Sequence, residues 1–197
     1  MTTPRSTILM IVESKKKAKL IQGFLADLPD RYVVVPCVGH VADIPTTRNG
    51  AIDVERGYEP NYRVTTDARE VVDGLVSALK DADMVVLGTD ADREGEMIAQ
   101  TLLDLVVAPN RPDLVHDKVQ RVTFNAVSEE AVKHGLAHPR GIDERLVEAA
   151  KARRVIDRLF GYDLIAVARG AVTGAARGGR VQSPALQMVV ARERERA

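Results

Sequence analysis

Short apolar runs and helical stripes alternate along the first 130 residues. Ile8–Val12, Tyr32–Val38 and Met84–Gly88 are almost wholly apolar and rich in branched residues, as strands buried on both faces require. Val119–Phe124 reads as a further strand. Between them, Ala18, Ile21 and Leu25 recur at spacings of three and four and predict a helix over 15–28. Val71, Val72, Leu75 and Leu79 form one stripe of a helix reaching about Lys80, with Asp67 as its expected cap. Another helix runs from the polar segment after Gly88 to about Val107, and Ser128 with Glu130 and Ala131 opens the next. Residues 43–62, punctuated by Pro45, Gly50, Gly57 and Pro60, predict an irregular excursion. Strands alternating with helices predict an α/β fold with a mainly parallel central sheet flanked by helices. From about Asp143 the pattern is purely helical through Ala168. A stretch at 169–180 rich in Gly, Ala and Arg then leads to a last helix from about Ser183. The expected organisation is an α/β domain over 1–142 and a partial helical domain over 143–197.

The segment after the Met84–Gly88 strand carries the sharpest chemistry. Asp90, Asp92, Glu94 and Glu96 place four carboxylates within seven residues, an arrangement that repels itself unless a cation sits among them. Open α/β sheets bind their ligands just past the C-terminal ends of their strands. All-oxygen ligands suit a hard cation, and Mg²⁺ combines a few carboxylates with water and substrate phosphate. An acidic helix start is the plainer reading. Glu13 follows the first strand in the same way. If the two strands are neighbours its carboxylate faces the cluster, where its pKa should rise and suit proton donation, and otherwise it is merely the neighbour of a helix cap. Ser14 is the expected cap of the next helix. Lys15, Lys16, Lys17 and Lys19 open that helix against its dipole, which implies either a nearby phosphate or a solvated face. Arg93 either pairs with the acidic cluster or contacts a phosphate, and spacing leaves both open. His40, after Gly39, either touches substrate or is an ordinary loop histidine, and the second is the commoner case. His116, His134 and His138 show no metal-binding spacing, and Cys37 belongs to an apolar strand.

Composition alters this picture mainly through charge. The 197 residues are 45% apolar and 28% charged, ordinary for a globular protein, and the single cysteine excludes an internal disulfide or a multi-cysteine zinc site. No apolar run is long enough for a membrane span and no signal-peptide pattern opens the chain, so a soluble, cytoplasmic protein is expected. A formal net charge of zero hides an asymmetry. Residues 1–120 hold 14 basic and 19 acidic residues, residues 121–197 hold 14 and 9. Within 151–180, Lys151, Arg153, Arg154, Arg158, Arg169, Arg177 and Arg180 face only two acids. A metal-binding body followed by a polyanion-contacting arm is one reading, and an arginine-rich solvated helix face is the other.

Taken together, these residues resemble the Toprim domain of type IA DNA topoisomerases. Val12-Glu13-Ser14-Lys15-Lys16-Lys17 stands where the family has Val-Glu-Ser-Pro-x-Lys, and Gly39-His40 with Asp43-Ile44-Pro45 matches its Gly-His and Asp-Leu/Ile-Pro stretch. Tyr58-Glu59-Pro60-Asn61-Tyr62, Thr89–Glu96 and Phe124-Asn125 resemble three further family segments. The likeness continues through Ala152–Tyr162 and Gly179–Leu186, which resemble the start of the family's domain that grips single-stranded DNA. The resemblance implies a Toprim fold in which Asp90, Asp92 and Glu94, with Glu13, hold Mg²⁺. It makes Glu13 the general acid on the departing 3′ oxygen and Lys17 the group that stabilises the phosphate, with Arg93 as a catalytic neighbour. It assigns DNA contact to His40, Arg153, Arg154, Asp157, Arg158, Arg180, Gln182 and Ser183.

Two departures stand out. Lys15 and Lys16 replace the family's Pro and small residue, and none of Tyr32, Tyr58, Tyr62 and Tyr162 matches the motif around the family's nucleophilic tyrosine. The expected function is therefore the amino-terminal part of a type IA topoisomerase, inactive by itself. Whole, such an enzyme relaxes negatively supercoiled DNA by Mg²⁺-dependent transient cleavage through a 5′-phosphotyrosine. Its partners are single-stranded DNA and the enzyme's remaining domains, with no membrane. The helical pattern of Arg192–Arg196 running up to Ala197 fits a piece of a longer protein. Two alternatives remain open: a non-catalytic metal- and DNA-binding module, and a Toprim nuclease or phosphoesterase. The basic segments after Lys151 argue against the second.

Overall fold

A computed structural model describes residues 6–115, 117–171 and 179–196. His116, Arg177 and Ala197 lie outside the described residues, as does most of the Gly/Ala/Arg-rich stretch. The elements follow the expected alternation. They are β1 (Thr7–Val12), α1 (Lys15–Phe24), β2 (Arg31–Pro36), β3 (Ala42–Asp43), β4 (Ile52–Asp53), β5 (Glu59–Pro60), β6 (Arg63–Val64) and α2 (Arg69–Leu79). Then come β7 (Met84–Leu87), α3 (Arg93–Leu102), a π-helical segment (Leu103–Val107), α4 (Ala108–Asn110), β8 (Val119–Arg121), α5 (Glu129–Ala137), α6 (Glu144–Ala171) and α7 (Gln182–Arg196).

The chain divides into two compact units. The first joins the stretch ending at Asp43 to Arg63–Ala150, and the second joins Ile44–Tyr62 to the stretch from Lys151 onward. The sequence had placed the whole excursion with the α/β domain and drawn a boundary at 142/143. The excursion instead shares an apolar cluster with the later helix. Ile44, Ala51 and Val155 are buried there, packed by Ile52, Tyr62, Leu159 and Tyr162. Within this second unit β4 and β5 pair antiparallel, and the Tyr162 hydroxyl donates to the Pro45 carbonyl. None of the residues of α7 is buried, and Leu186, Met188 and Val189 stand exposed.

The first unit is built on a four-stranded, wholly parallel sheet in the order β2-β1-β7-β8. Alternate residues of β1 serve opposite faces. Leu9 and Ile11, with Val85 and Leu87 of β7, pack on Leu75, Leu79, Ile98 and Leu102 from α2 and α3. Ile8, Met10 and Val12, with Val86, pack on Ala18 and Ile21 of α1 and Val132 of α5. Covering both faces is what makes the strands read as unbroken apolar runs. Among the described residues no helix is long and apolar enough to cross a membrane.

Several boundaries move for local reasons. Helix α1 stops at Phe24 rather than 28, with Leu25 leaving helical backbone at the cap position. Asp67 does not cap α2: it lies inside a 3₁₀ turn (Thr66–Ala68), and Ala68 occupies the cap position without a side-chain bond. Strand β8 ends at Arg121, three residues short of the expected end. Ser14 and Ser128 cap α1 and α5 as anticipated, accepting from the Lys17 and Ala131 amides at 3.2 and 3.3 Å.

Candidate active site

From β1 the chain crosses to β2 on one side and, later, to β7 on the other. The carboxyl ends of β1 and β7 therefore flank a topological switch point, where such sheets open a crevice. Glu13 leaves β1 there, and Thr89-Asp90 leave β7. The two are joined directly: the Asp90 amide donates to the Glu13 carboxylate at 2.8 Å. Burial raises the Glu13 pKa above the ordinary carboxylate value and the Asp90 charge raises it further, against the opposing pull of the Asp90 amide and Lys17. The direction matches the expectation, but desolvation rather than neighbouring charge is the main cause. Lys17, one turn into α1, pairs its ammonium with the Asp90 carboxylate.

The rest of the acidic segment is committed elsewhere. Asp92 is the N-cap of α3, its Oδ1 accepting from the Gly95 amide at 2.7 Å. Glu94 meets His40 Nε2 at 3.0 Å. The turn that delivers His40 is tightly wound: Val38 (φ 58°) and Gly39 (φ 85°) are both left-handed, a strained state for a branched residue. Arg93 opens α3 with its side chain exposed. Sequence reading expected Asp90, Asp92, Glu94 and Glu13 to converge on one ion. Here Lys17 pairs with Asp90, His40 with Glu94, and backbone amides donate to Glu13 and Asp92. Among the described residues no three His, Cys, Asp or Glu side chains are gathered as an ion would need. The donor chemistry suits a hard divalent cation. Lys17 holds one carboxylate oxygen of Asp90 and His40 one of Glu94.

Behind this loop lies a network that the sequence reading missed. Arg121 of β8 is 1% exposed and Glu96 of α3 is 0% exposed, and they bond through Nε and Nη2 at 3.1 and 2.9 Å. Arg121 also donates to the carbonyls of Leu87 (3.0 Å), Thr89 (2.8 Å) and Asp90 (2.7 Å). Glu96 additionally accepts from Arg140 and from the Asp143 amide at 2.9 Å. Burial alone would raise the Glu96 pKa. The Asp143 amide, Arg140 and Arg121 outweigh it, and the carboxyl is held below its usual range. The loop folds back so closely that a Cβ on Gly95 would lie 2.1 Å from the Asp90 carbonyl oxygen, so only glycine fits. A signal was present in the sequence: Arg121 is a lone charge inside a strand otherwise bound for the core, and such a charge needs a partner.

In the second unit the basic residues expected on DNA are held differently. Asp157 accepts from Arg180 Nε at 2.6 Å and lies 3.7 Å from Arg153 Nε. Arg180 foremost holds the Asp157 carboxyl below its ordinary value. Arg154 and Arg158 follow on α6 with partly buried side chains, and Gln182 and Ser183 begin α7. The structure thus brings Glu13, Lys17 and Asp90 together in one unit, with His40 against Glu94. In the other it brings Arg153, Asp157 and Arg180 together.

Comparison with known proteins adds a family context. The Toprim domain profile matches residues 8–127 and the DNA topoisomerase profile residues 141–197. The chain is 39% identical over 200 residues to DNA topoisomerase 1 of Streptomyces coelicolor, covering 95% of this chain and 20% of that protein. It is 38% identical over 187 residues to DNA topoisomerase 1 of Zymomonas mobilis, again over 95% of this chain but 15% of the relative. The solved structure of full-length topoisomerase I from Thermotoga maritima superposes with a TM-score of 0.75 at 33% identity, over 95% of this chain and 30% of that one. The chain therefore spans between about a seventh and a third of these relatives.

Proposed function

We propose, for a chain that belongs to the Toprim domain family and is similar along its length to bacterial DNA topoisomerase I, that it forms the phosphate-handling part of a type IA topoisomerase. The reading rests above all on Glu13, Lys17 and Asp90 meeting at the switch point of the sheet. In the whole enzyme a tyrosine from a further domain attacks a backbone phosphorus, forming a 5′-phosphotyrosine and releasing the 3′ oxygen. Glu13, whose pKa burial raises, is the group placed to give a proton to that oxygen. Lys17 turns from Asp90 to the phosphate, where its charge offsets what builds up in the transition state. Asp90, Asp92 and Glu94, with Glu13, would hold a divalent ion such as Mg²⁺, which when bound supplies further positive charge beside the phosphate. Arg153, Arg154, Arg158, Arg180 and Gln182 bind the backbone of single-stranded DNA. Breaking, passing and resealing one strand relaxes negative supercoils.

Two measurements test this. The purified chain should bind an oligothymidine strand at low salt and lose that affinity steeply as salt rises. Incubated with Mg²⁺ and negatively supercoiled plasmid, it should leave the plasmid supercoiled. Absence of strand binding at low salt removes the DNA-contacting role of the basic segment. Relaxation by the chain alone removes the claim that the tyrosine comes from elsewhere.

A further inference from the structure

The buried ion pair calls for its own explanation. Replacing a buried arginine–carboxylate pair by apolar residues is often neutral or stabilising, so stability alone does not account for Arg121 and Glu96. Their bonding pattern does. As the chain leaves β7 the last sheet bonds are those of the Gly88 amide to the Ile11 carbonyl and of the Val122 amide to the Leu87 carbonyl, at 2.8 and 3.0 Å. The carbonyls of Leu87, Thr89 and Asp90 are all taken by one guanidinium. Glu96 neutralises that guanidinium from the first turn of α3, and Arg140 with the Asp143 amide fixes Glu96 in turn. Thr89 closes the loop from within, its buried hydroxyl donating to the Gly95 carbonyl at 2.6 Å.

We infer that Arg121 is a positioning residue: through the Leu87, Thr89 and Asp90 carbonyls, backed by Glu96, it fixes the Asp90 backbone so that its amide meets Glu13 and its carboxylate meets Lys17. The functional weight of this role rests on the proposed site, but the positioning itself does not. Fixed orientation of the groups that touch substrate matters because small misplacements slow reactions by large factors. Arginine suits the role because its planar fork addresses several acceptors at once, and lysine offers only a point charge.

The test compares amide hydrogen exchange in the wild-type chain, Arg121→Lys, and Val132→Ala, a core truncation on the far helix α5. Arg121→Lys should lower protection of the Asp90 and Gly95 amides by roughly tenfold beyond any loss at the β1 amides, the scale of losing a hydrogen bond at a buried site. Val132→Ala should lower both sets alike. Equal losses at Asp90 and β1 in Arg121→Lys would reduce Arg121 to a fold-stabilising residue and overturn the inference. Should Arg121→Lys not fold, Glu96→Gln keeps the shape while removing the neutralising charge, and it must show the same selective pattern more weakly. A uniform pattern there also overturns it. Calorimetric titration with Mn²⁺ is a second arm. A loss of about 10–100-fold in affinity in Arg121→Lys supports positioning, and unchanged affinity opposes it. A wild-type chain that binds no Mn²⁺ contradicts the proposed metal site, while the amide comparison still decides the role of Arg121.

Discussion

Arginine meets carboxylate in both units of this protein, in opposite surroundings. Arg121 and Glu96 are 1% and 0% exposed at their side chains, whereas Arg180 and Asp157 are 47% and 42% exposed. The distances are similar, 2.9 and 2.6 Å. Distance therefore says little about what each pair does. A buried charge has no alternative partner, so breaking the first pair leaves an unsatisfied ion inside the fold. An exposed pair exchanges freely with water and other ions and contributes little to stability. The first is suited to holding a loop in place. The second leaves its arginine open to exchange with other anions.

The largest break in that comparison comes from truncating the buried side. Glu96→Ala leaves Arg121 uncompensated and should destabilise the chain by about 3–5 kcal/mol in urea unfolding. A loss under about 1 kcal/mol, the range of exposed pairs, would show that water reaches the network. Next in size is Gly95→Ala. Its Cβ would meet the Asp90 backbone at 2.1–2.9 Å, so the loop must shift at a cost of about 1–3 kcal/mol, occasionally more. The same substitution at Gly141, where a Cβ meets nothing within 4 Å, should change stability far less.

Acid sharpens the contrast further. The Glu96 pKa is lowered by folding, so its contribution is complete above the unfolded value of about 4.3 and disappears as pH falls through the lower folded value. The stability difference between wild type and Glu96→Gln should be constant near neutrality and shrink below about pH 4. A difference that instead grew on acidification would reverse the assigned direction. Glu13 works oppositely: its pKa is raised, so its share favours the fold at low pH and is lost as pH rises through the folded value.

Much of the first unit was legible from sequence because its strands are buried on both faces and its helices carry single stripes. The approximate strand positions and the serine caps follow from patterns local to a few residues, whereas the meeting of Glu13 with Asp90 was conditional on their two strands being neighbours, as β1 and β7 are. Three features are not local. The excursion's apolar residues Ile44, Ala51 and Ile52 are too sparse to announce a core, and they complete one only with Val155, Leu159 and Tyr162 about a hundred positions later. Glu96 looked like a fourth member of an acidic cluster, since helical geometry that turns it inward, away from Asp92, is invisible in a count of carboxylates. Separate satisfaction of Asp90 by Lys17 and of Glu94 by His40 depends on loops whose turns, including the left-handed Val38, no periodicity encodes.

The smallest expected effect concerns positive charges held in neither way. Lys15, Lys16 and Lys19 of α1 are exposed, none forms an ion pair among the described residues, and the helix has no acid in its first turn. Lysines at a helix N-terminus oppose the dipole by about 0.3–1 kcal/mol each at low salt. Substituting Lys15 and Lys16 by Gln should therefore raise stability slightly. If these lysines also meet the backbone of bound single-stranded DNA, the same double variant should weaken binding and flatten the plot of log affinity against log salt by up to about 1.4. Opposite signs in the two measurements identify charge kept for a polyanion at the expense of the fold. A stability gain with an unchanged salt slope identifies a solvated helix face. The double variant thus separates the two meanings of these lysines, which neither exposure nor spacing distinguishes.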